Sequence, residues 1–264
     1  MNPRRQSIQQ AFDRHSENYD ERFSHVAIGA QVREEVWQLA DAAFANSRHI
    51  LDLGAGTGED SLHFAQKGIH VTAVDISQGM ISQLAGKAAT AGLSGLIHGV
   101  VAEMNHYQPA PLAFDGLLSN FGAINCTADL RWLNALAEVG LKPGSRVVLT
   151  AMGTFYPLEM IVFLLKGQFF RAFRRLRRPV EARVENASIR VHYHSLNTLR
   201  RELGPKFHLE RLQGLCSLGA APGWEHLERF RLIQWLAPLD RWLCRFRWTA
   251  TFADHFVSVW RYQP

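Results

Sequence analysis

The segment Ile50-Leu51-Asp52-Leu53-Gly54-Ala55-Gly56-Thr57-Gly58-Glu59-Asp60 decides how the rest of the chain is read. An apolar run gives way to glycines at every second position, and an amphipathic stretch follows. That order predicts a strand, a tight turn and a helix. A glycine has no Cβ, so a ligand can approach the backbone of such a turn closely. The exposed N–H groups and the positive end of the helix dipole add a polar cradle. Working outward, the next apolar run, His70-Val71-Thr72-Ala73-Val74-Asp75, ends on an acid seventeen residues beyond Gly58. An acid about 20 residues past such a turn is placed to take a pair of ribose hydroxyls.

Two ligand classes suit this arrangement. A dinucleotide fingerprint reads Gly-x-Gly-x-x-Gly and sets a pyrophosphate over the helix start. Here the spacing is Gly-x-Gly-x-Gly, and Glu59 and Asp60 follow at once. Acids at that point would repel a pyrophosphate and suit a ligand with an ammonium and a sulfonium. The stretch resembles motif I of the class I S-adenosylmethionine-dependent methyltransferases. Asp75-Ile76-Ser77-Gln78-Gly79-Met80 is similar to the D-x-S-x-x-M that follows the second strand in that family. The resemblance implies S-adenosyl-L-methionine as cofactor, held by Asp52, Gly54, Ala55, Gly56, Gly58, Asp75, Ile76 and Met80. Upstream, Ala11, Phe12, Asp13, Tyr19 and Asp20 match a lead-in common there, A-F-D-x-x-A-x-x-Y-D, with Ser16 in place of a small apolar residue. It implies a helical lid over Ser7 to Asp20, with Tyr19 lining the cofactor pocket.

The chain of 264 residues is 47% hydrophobic, enough for one elaborated domain or two small ones. Cys126, Cys216 and Cys244 have no paired spacing and belong to no metal pattern. The first ten residues are polar, and no apolar run reaches the eighteen or so residues that span a bilayer. These features predict a reduced, cytoplasmic protein without a metal. The net charge is +5 and the pI near 9.4, unevenly distributed.

Downstream of a helix over 28–45, strands and helices alternate. Strands are predicted at 49–53, 71–74, 95–102, 114–119 and 146–152. Helices at 60–66, 80–91 and 130–139 stop at Gly68, Gly92 and Gly140, and Pro143-Gly144 makes a turn. This pattern predicts an α/β fold, a parallel sheet with helices on both faces. Polar groups sit at the carboxyl ends of the strands, where ligands gather. The resemblance assigns Glu103, with Met104, to the place where an Asp usually binds the adenine amino group. Ser119-Asn120-Phe121-Gly122-Ala123-Ile124-Asn125-Cys126 is similar to motif IV and the loop after it, which implies contact of Asn120 and Phe121 with the methionine part of the cofactor. Cys126 reads as packing, since no His or Asp lies at a telling offset.

After the fifth strand the alternation breaks. Residues 154–195 read as a cap over the substrate pocket, between a core at 1–153 and the rest of the sheet at 196–264. In that remainder a helix at 196–203, a strand at 207–212, a loop at 214–224, a helix at 227–246 interrupted at Pro238 and a closing strand at 254–262 complete a seven-stranded, mostly parallel, Rossmann-like sheet. Within the cap, Lys166, Arg171, Arg174, Arg175, Arg177, Arg178, Arg183 and Arg190 face only Glu181 and Glu185, and Phe163, Phe169, Phe170 and Phe173 interleave. At helical spacing Arg171, Arg174, Arg175 and Arg178 share a face. The run fits an acidic carrier protein, an anionic membrane surface or a phosphate-bearing substrate. It fits nucleic acid poorly, because the charge is confined to one segment. A solvated helical face is the plainer alternative.

Methyl transfer to a carboxylate needs no base, whereas a hydroxyl needs one. His192 and His194, on one face of a strand at 188–194, and His255 are the candidate bases, with Tyr107 weaker. Taken with the resemblance, these features predict an enzyme that methylates an oxygen of a small, hydrophobic or carrier-bound acceptor. N- or C-methylation and a cofactor-binding docking protein without turnover remain open. Glu59 and Asp60 disfavour a nicotinamide oxidoreductase. Motif IV lacks Asn-Pro-Pro-Tyr, which disfavours amide or adenine N-methylation.

Overall fold

A computed structural model of the chain describes residues 9, 12–14, 16, 19–20, 27–177, 179–184, 187–218 and 232–264. Five strands run parallel: β1 (His49–Leu53), β2 (His70–Asp75), β3 (Ile97–Val101), β4 (Phe114–Ser119) and β5 (Leu141–Met152). Two more close the sheet, β8 (Phe207–Leu215) and β9 (His255–Tyr262), with β9 antiparallel to both its neighbours. The order is β3-β2-β1-β4-β5-β9-β8, so the strand order reverses beside β1 and β4. A crevice opens at the carboxyl ends of the strands at such a reversal.

The apolar runs of the central strands are continuous because both faces of the sheet are covered. Neighbouring residues point to opposite sides. Leu51, Leu117, Val147 and Phe256 enter one core with Leu133 and Leu136 of α4 (Arg131–Gly140) and Leu199 and Leu203 of α7 (Leu196–Leu203). Ile50, Leu118, Val148 and Val257 enter the other. There they meet Val36 and Phe44 of α1 (Ala27–Phe44), Phe64 of α2 (Glu59–Gln66) and Leu84 of α3 (Gln78–Thr90). Side chains cap two of these helices: the Ser77 hydroxyl accepts from the Met80 amide at 3.1 Å, and the Ser195 hydroxyl from the Thr198 amide at 3.1 Å. Asp115 ties the start of β1 to β4 by accepting from the Arg48 and His49 amides at 2.9 and 3.0 Å.

Between β5 and α7 the chain leaves the sheet as α5 (Pro157–Leu165), α6 (Phe169–Ala172), a 3₁₀ turn (Arg174–Leu176) and a ribbon of β6 (Val180–Val184) with β7 (Ala187–Val191). This differs from the sequence expectation in two ways. No single helix carries the arginines: α5 stops before Gly167, which has a φ of 68°, and α6 ends at Ala172. The strand stops at Val191, so His192 and His194 follow it rather than sharing its face. Strand three is shorter than expected and β8 longer, and Pro143-Gly144 falls inside the irregular start of β5. Helix α8 (Leu232–Cys244) runs through Pro238. The expected loop residues Gly219, Pro222 and Gly223, the helix start at Leu227, Ala11, Arg178 and Glu185 lie outside the described residues. No helix among the described residues is long and apolar enough to cross a membrane.

Candidate active site

The three glycines of the turn after β1 all take positive φ, 75°, 54° and 85° at Gly54, Gly56 and Gly58, and each has a different reason to lack a side chain. A Cβ on Gly54 would lie 2.4 Å from the Ala123 Cβ, and one on Gly58 would lie 2.5 Å from the Leu84 side chain. A Cβ on Gly56 would meet nothing within 4 Å and would enter the cavity beside it. The turn is braced by Asp75, whose carboxylate accepts from the Gly56 amide at 2.9 Å and the Ser77 amide at 2.9 Å. Burial pushes the Asp75 carboxyl up, against the pull of these amide bonds.

The lead-in closes over this turn. Asp13 accepts from the Ser77 hydroxyl at 2.5 Å and the Gly79 amide at 2.9 Å. Asp20 accepts from the Thr57 hydroxyl at 2.6 Å and pairs with Lys87 at 2.5 Å. Ser16 is buried, its hydroxyl donating to the Asp13 carbonyl at 2.8 Å, so a polar residue serves where the pattern has a small apolar one. Phe12 and Tyr19 line the cavity. Burial, and then the charge of Asp75, push the Tyr19 phenol up to about 12.

Glu59 and Asp60 are not where the sequence reading needed them. Neither lines the cavity. Glu59 pairs with Lys87 at 2.6 Å. Asp60 turns back into the protein, accepting from the Trp37 indole at 2.7 Å and the Asn120 amide group at 3.0 Å, with the Arg33 guanidinium at 3.5 Å. Asn120 in turn accepts from the Phe121 amide at 2.7 Å and holds Phe121 at a φ of 49°, its ring under Arg33 at 4.4 Å. Asp60 therefore shapes the loop after β4 rather than selecting a ligand by charge. Asp52 is also buried behind the turn, bonded by the Ser61 hydroxyl at 2.6 Å; burial, and after it Asp60, push its carboxyl well up.

The cavity has a volume of about 310 Å³ and a mainly apolar lining. Of the expected cofactor residues, Tyr19, Gly54, Gly56, Asp75, Ile76, Met80, Glu103, Met104, Asn120 and Phe121 line it, while Asp52, Ala55 and Gly58 stand behind. Glu103 also reaches the His106 ring at 3.3 Å. The far wall is built from Asn125, Cys126, Met152, Ile189 and Val191. Asn125 joins these pieces. Its amide group donates to the His192 carbonyl at 2.6 Å, its side-chain oxygen accepts from the Met152 amide at 2.9 Å, and its carbonyl accepts from the His192 amide at 2.7 Å. The residues present fit an adenosyl ligand: a backbone cradle left open at Gly56, an acid at the end of β2, and an apolar slot past β3.

Residues 50–144 match a family described as a methyltransferase domain. That match takes in the glycine turn, Asp75 and the loop after β4. The chain is similar to a demethylmenaquinone methyltransferase of Clavibacter sepedonicus, 33% identical over 147 residues, covering 54% of this chain and 57% of that protein. It is also similar to a malonyl-[acyl-carrier protein] O-methyltransferase of Pseudescherichia vulneris, 27% identical over 57% of this chain and 55% of the other. The chain thus spans little more than half the length of these curated relatives. Its fold is shared with the 1,6-didemethyltoxoflavin-N1-methyltransferase of Burkholderia thailandensis, at a TM-score of 0.62 and 15% identity over 98% of this chain and 88% of that one. An S-adenosylmethionine dependent methyltransferase from Mesorhizobium loti has it too, with a TM-score of 0.55, 17% identity, and 87% and 99% covered.

Among the described residues, the three candidate histidines are not part of the cavity's lining. His194 is buried and bonded through Nε2 to the Thr127 carbonyl at 3.1 Å, and burial lowers its pKa. His255 is bonded to Asp254 at 2.7 Å, and His192 follows β7 with its amide on Asn125. Tyr107 does not line the cavity either. Cys126 does, with its thiol pushed up to about 11 by burial and then by Asp75. Sequence reasoning missed Asn125, Met152, Ile189 and Val191 as wall residues. The alternation through Ile189 and Val191 was the available signal, since two residues apart on a strand share a face.

The basic segment is also partly internal. Arg175 is buried and donates to Glu159 at 2.7 Å, to the Asp254 carboxylate, and to the Asp254 and Gly153 carbonyls at 3.1 and 3.4 Å. Tyr156 and Tyr193 sandwich it, each ring centroid 5.0 Å away. Arg174 donates twice to Glu159, at 2.8 and 3.0 Å. Arg175 thus bolts the cap to the residues flanking β5 and β9, while Arg174 closes onto Glu159 within the cap.

Proposed function

We propose that the chain transfers a methyl group from S-adenosylmethionine to an oxygen of a small, apolar acceptor that arrives already ionised, such as a carboxylate or an acidic phenol. The carrying observation is the chemistry of the wall. Besides Asp75 and Glu103, which this reading gives to the cofactor, the titratable groups among the described lining residues are Tyr19 and Cys126, both pushed up and so protonated at neutral pH. Neither can take a proton there. When bound, the cofactor supplies an activated methyl on a sulfonium, whose positive charge favours an anionic neighbour.

In this reading Asp75 takes the ribose hydroxyls, and Glu103 and Met104 flank the adenine. The Gly54–Gly58 turn and the Asn120-Phe121 pair hold the methionine part. Met152, Ile189 and Val191 orient the acceptor and exclude water, and such positioning can lower a barrier by about 7–11 kcal/mol. A carrier-bound acceptor is a second reading, with an acidic carrier at Arg171–Arg178. Exposed Arg171 and Arg177 favour it, as does the name of the malonyl-[acyl-carrier protein] relative.

The test is methyl transfer from labelled S-adenosylmethionine to a series of apolar carboxylic acids and phenols of graded acidity. The kcat/KM is expected to rise with pH through each acceptor's own pKa, and His192→Gln and His255→Gln should leave the profile unchanged. A profile fixed by one enzyme group across the series, and abolished by either substitution, would refute the reading.

A further inference from the structure

The cap presents far more apolar surface than closing a pocket requires. Leu165 is 84% exposed, Phe169 63% and Phe170 77%, all at the turn where α5 gives way to α6. The cations among them, Lys166, Arg171 and Arg177, are exposed as well, and Arg177 lies over the Phe170 ring at 5.2 Å. No acid occurs from 160 to 177, and Glu159, just before, is buried and consumed by Arg174 and Arg175. The exposed charge of this tip is therefore positive only.

A second strip has the same composition. Trp242, Phe246, Trp248 and Phe252 are exposed, with Trp248 at 59%, and exposed Arg241, Arg245 and Arg247 alternate with them. The neighbouring acid, Asp240, is buried and accepts from the Leu218 amide at 3.0 Å. The rings form a chain: Trp242 to Phe246 at 5.1 Å, Phe246 to Trp248 at 6.4 Å, Trp248 to Phe252 at 6.2 Å and Phe252 to Phe155 at 5.7 Å. Phe155 leads directly into α5, so the strip and the cap are joined.

Three occupants could use such a surface, and the geometry separates them. Single-stranded nucleic acid stacks on free ring faces. Here three of the four ring contacts are edge to face, at 82°, 64° and 67°, and one pair, Phe246 with Trp248, already stacks on itself at 24°, so the strip is no open row of parallel platforms. A second copy of the chain would set six like charges, Lys166, Arg171, Arg177, Arg241, Arg245 and Arg247, against their own equivalents. A bilayer with anionic headgroups matches both halves of the pattern. Phe, Leu and Trp enter the headgroup boundary, and long basic side chains reach the phosphates from the same plane.

We propose that the tip at Leu165–Arg177 and the strip at Trp242–Phe252 together form a docking surface for an anionic phospholipid bilayer. The docking does not depend on the methyl acceptor or on turnover.

The experiment is cosedimentation of the full chain with phosphatidylglycerol–phosphatidylcholine vesicles against pure phosphatidylcholine vesicles, with tryptophan emission read in parallel. Binding to the anionic vesicles is expected, falling as salt rises, with a blue shift of the emission. Leu165→Ser and Trp248→Ser should each weaken it by about tenfold, the scale of one large apolar side chain leaving water, and Phe169→Ser with Phe170→Ser by about a hundredfold. Arg171→Glu with Arg177→Glu should remove the preference for anionic vesicles. Leu165 touches little, so Leu165→Ser keeps the test sharp if another variant fails to fold; unchanged melting and S-adenosylhomocysteine binding confirm folding. Wild-type protein that ignores anionic vesicles would overturn the proposal. So would vesicle binding indifferent to all these substitutions. The same holds if the substitutions instead abolish a dimer in sedimentation velocity, or binding to RNA or to an acidic carrier protein.

Discussion

Arg175→Met should unfasten the cap while keeping the volume between Tyr156 and Tyr193 filled. Removing one partner of a buried ion pair costs about 3–5 kcal/mol. Here one guanidinium serves both Glu159 and Asp254, and two carbonyls lose a donor as well, each worth about 1 kcal/mol. Against this, Met restores apolar contact, while Arg174 and His255 remain beside the two acids. The net loss is about 4 kcal/mol at neutral pH, or roughly 10 °C in Tm for a domain of this size. The pH dependence has a definite sign. Burial alone would raise both carboxyls, yet Arg175 and Arg174 hold Glu159, and His255 and Arg175 hold Asp254, below their ordinary values. Their stabilisation is therefore full above the unfolded carboxylate values near about 4 and fades as pH falls through the lower native ones. In the variant burial pulls both back up, so the folded state binds protons that the unfolded chain releases. The gap between wild type and variant should widen as pH rises from about 4 to about 7. Urea unfolding followed by tryptophan fluorescence across that range measures it. A variant within about 1 kcal/mol of wild type at neutral pH, or a gap that narrows as pH rises, would refute the reasoning.

Two further substitutions probe the site. Gly56→Val should lose at least about 100-fold in S-adenosylhomocysteine affinity, because its side chain has only the cavity to enter, and about 1–2 kcal/mol of stability for a branched residue at a φ of 54°; Gly58→Ala should cost about 1–3 kcal/mol of stability, since its Cβ meets Leu84, with a smaller effect on affinity, and a melt beside a titration separates the two. Asn125→Leu strands the Met152 amide and the His192 carbonyl, so a loss of about 3 kcal/mol is expected, with faster hydrogen exchange at the Met152 and His192 amides.

The sheet was legible because its strands are buried on both faces. Runs such as Ile50–Leu53 and Phe114–Ser119 needed no partner to be recognised, and Gly68 and Gly92 marked where helices stop. The glycine end of the cavity was legible for a related reason: the glycine turn, Asp75 and Tyr19 lie on short connections whose spacing is local. The rest depended on long-range pairing. Arg175 meets Asp254, 79 residues away, so a charge that looked solvated is buried. Asp60 meets Asn120, 60 residues away, so an acid that looked like a ligand selector is a brace. Asn125 bonds across 67 residues to His192, and nothing near either residue announces it. The shared strand face expected for His192 and His194 is absent because β7 ends three residues before His194.

The most direct test of the cofactor assignment is calorimetric titration of the chain with S-adenosylhomocysteine, in parallel with NAD and with the Asp75→Ala variant. The account predicts saturable binding of S-adenosylhomocysteine, none of NAD given a glycine spacing that departs from the dinucleotide fingerprint, and a loss of about 1–3 kcal/mol in Asp75→Ala, the scale of a hydrogen bond to a charged group. Folded protein that does not bind S-adenosylhomocysteine, or that binds NAD in its place, would contradict the account.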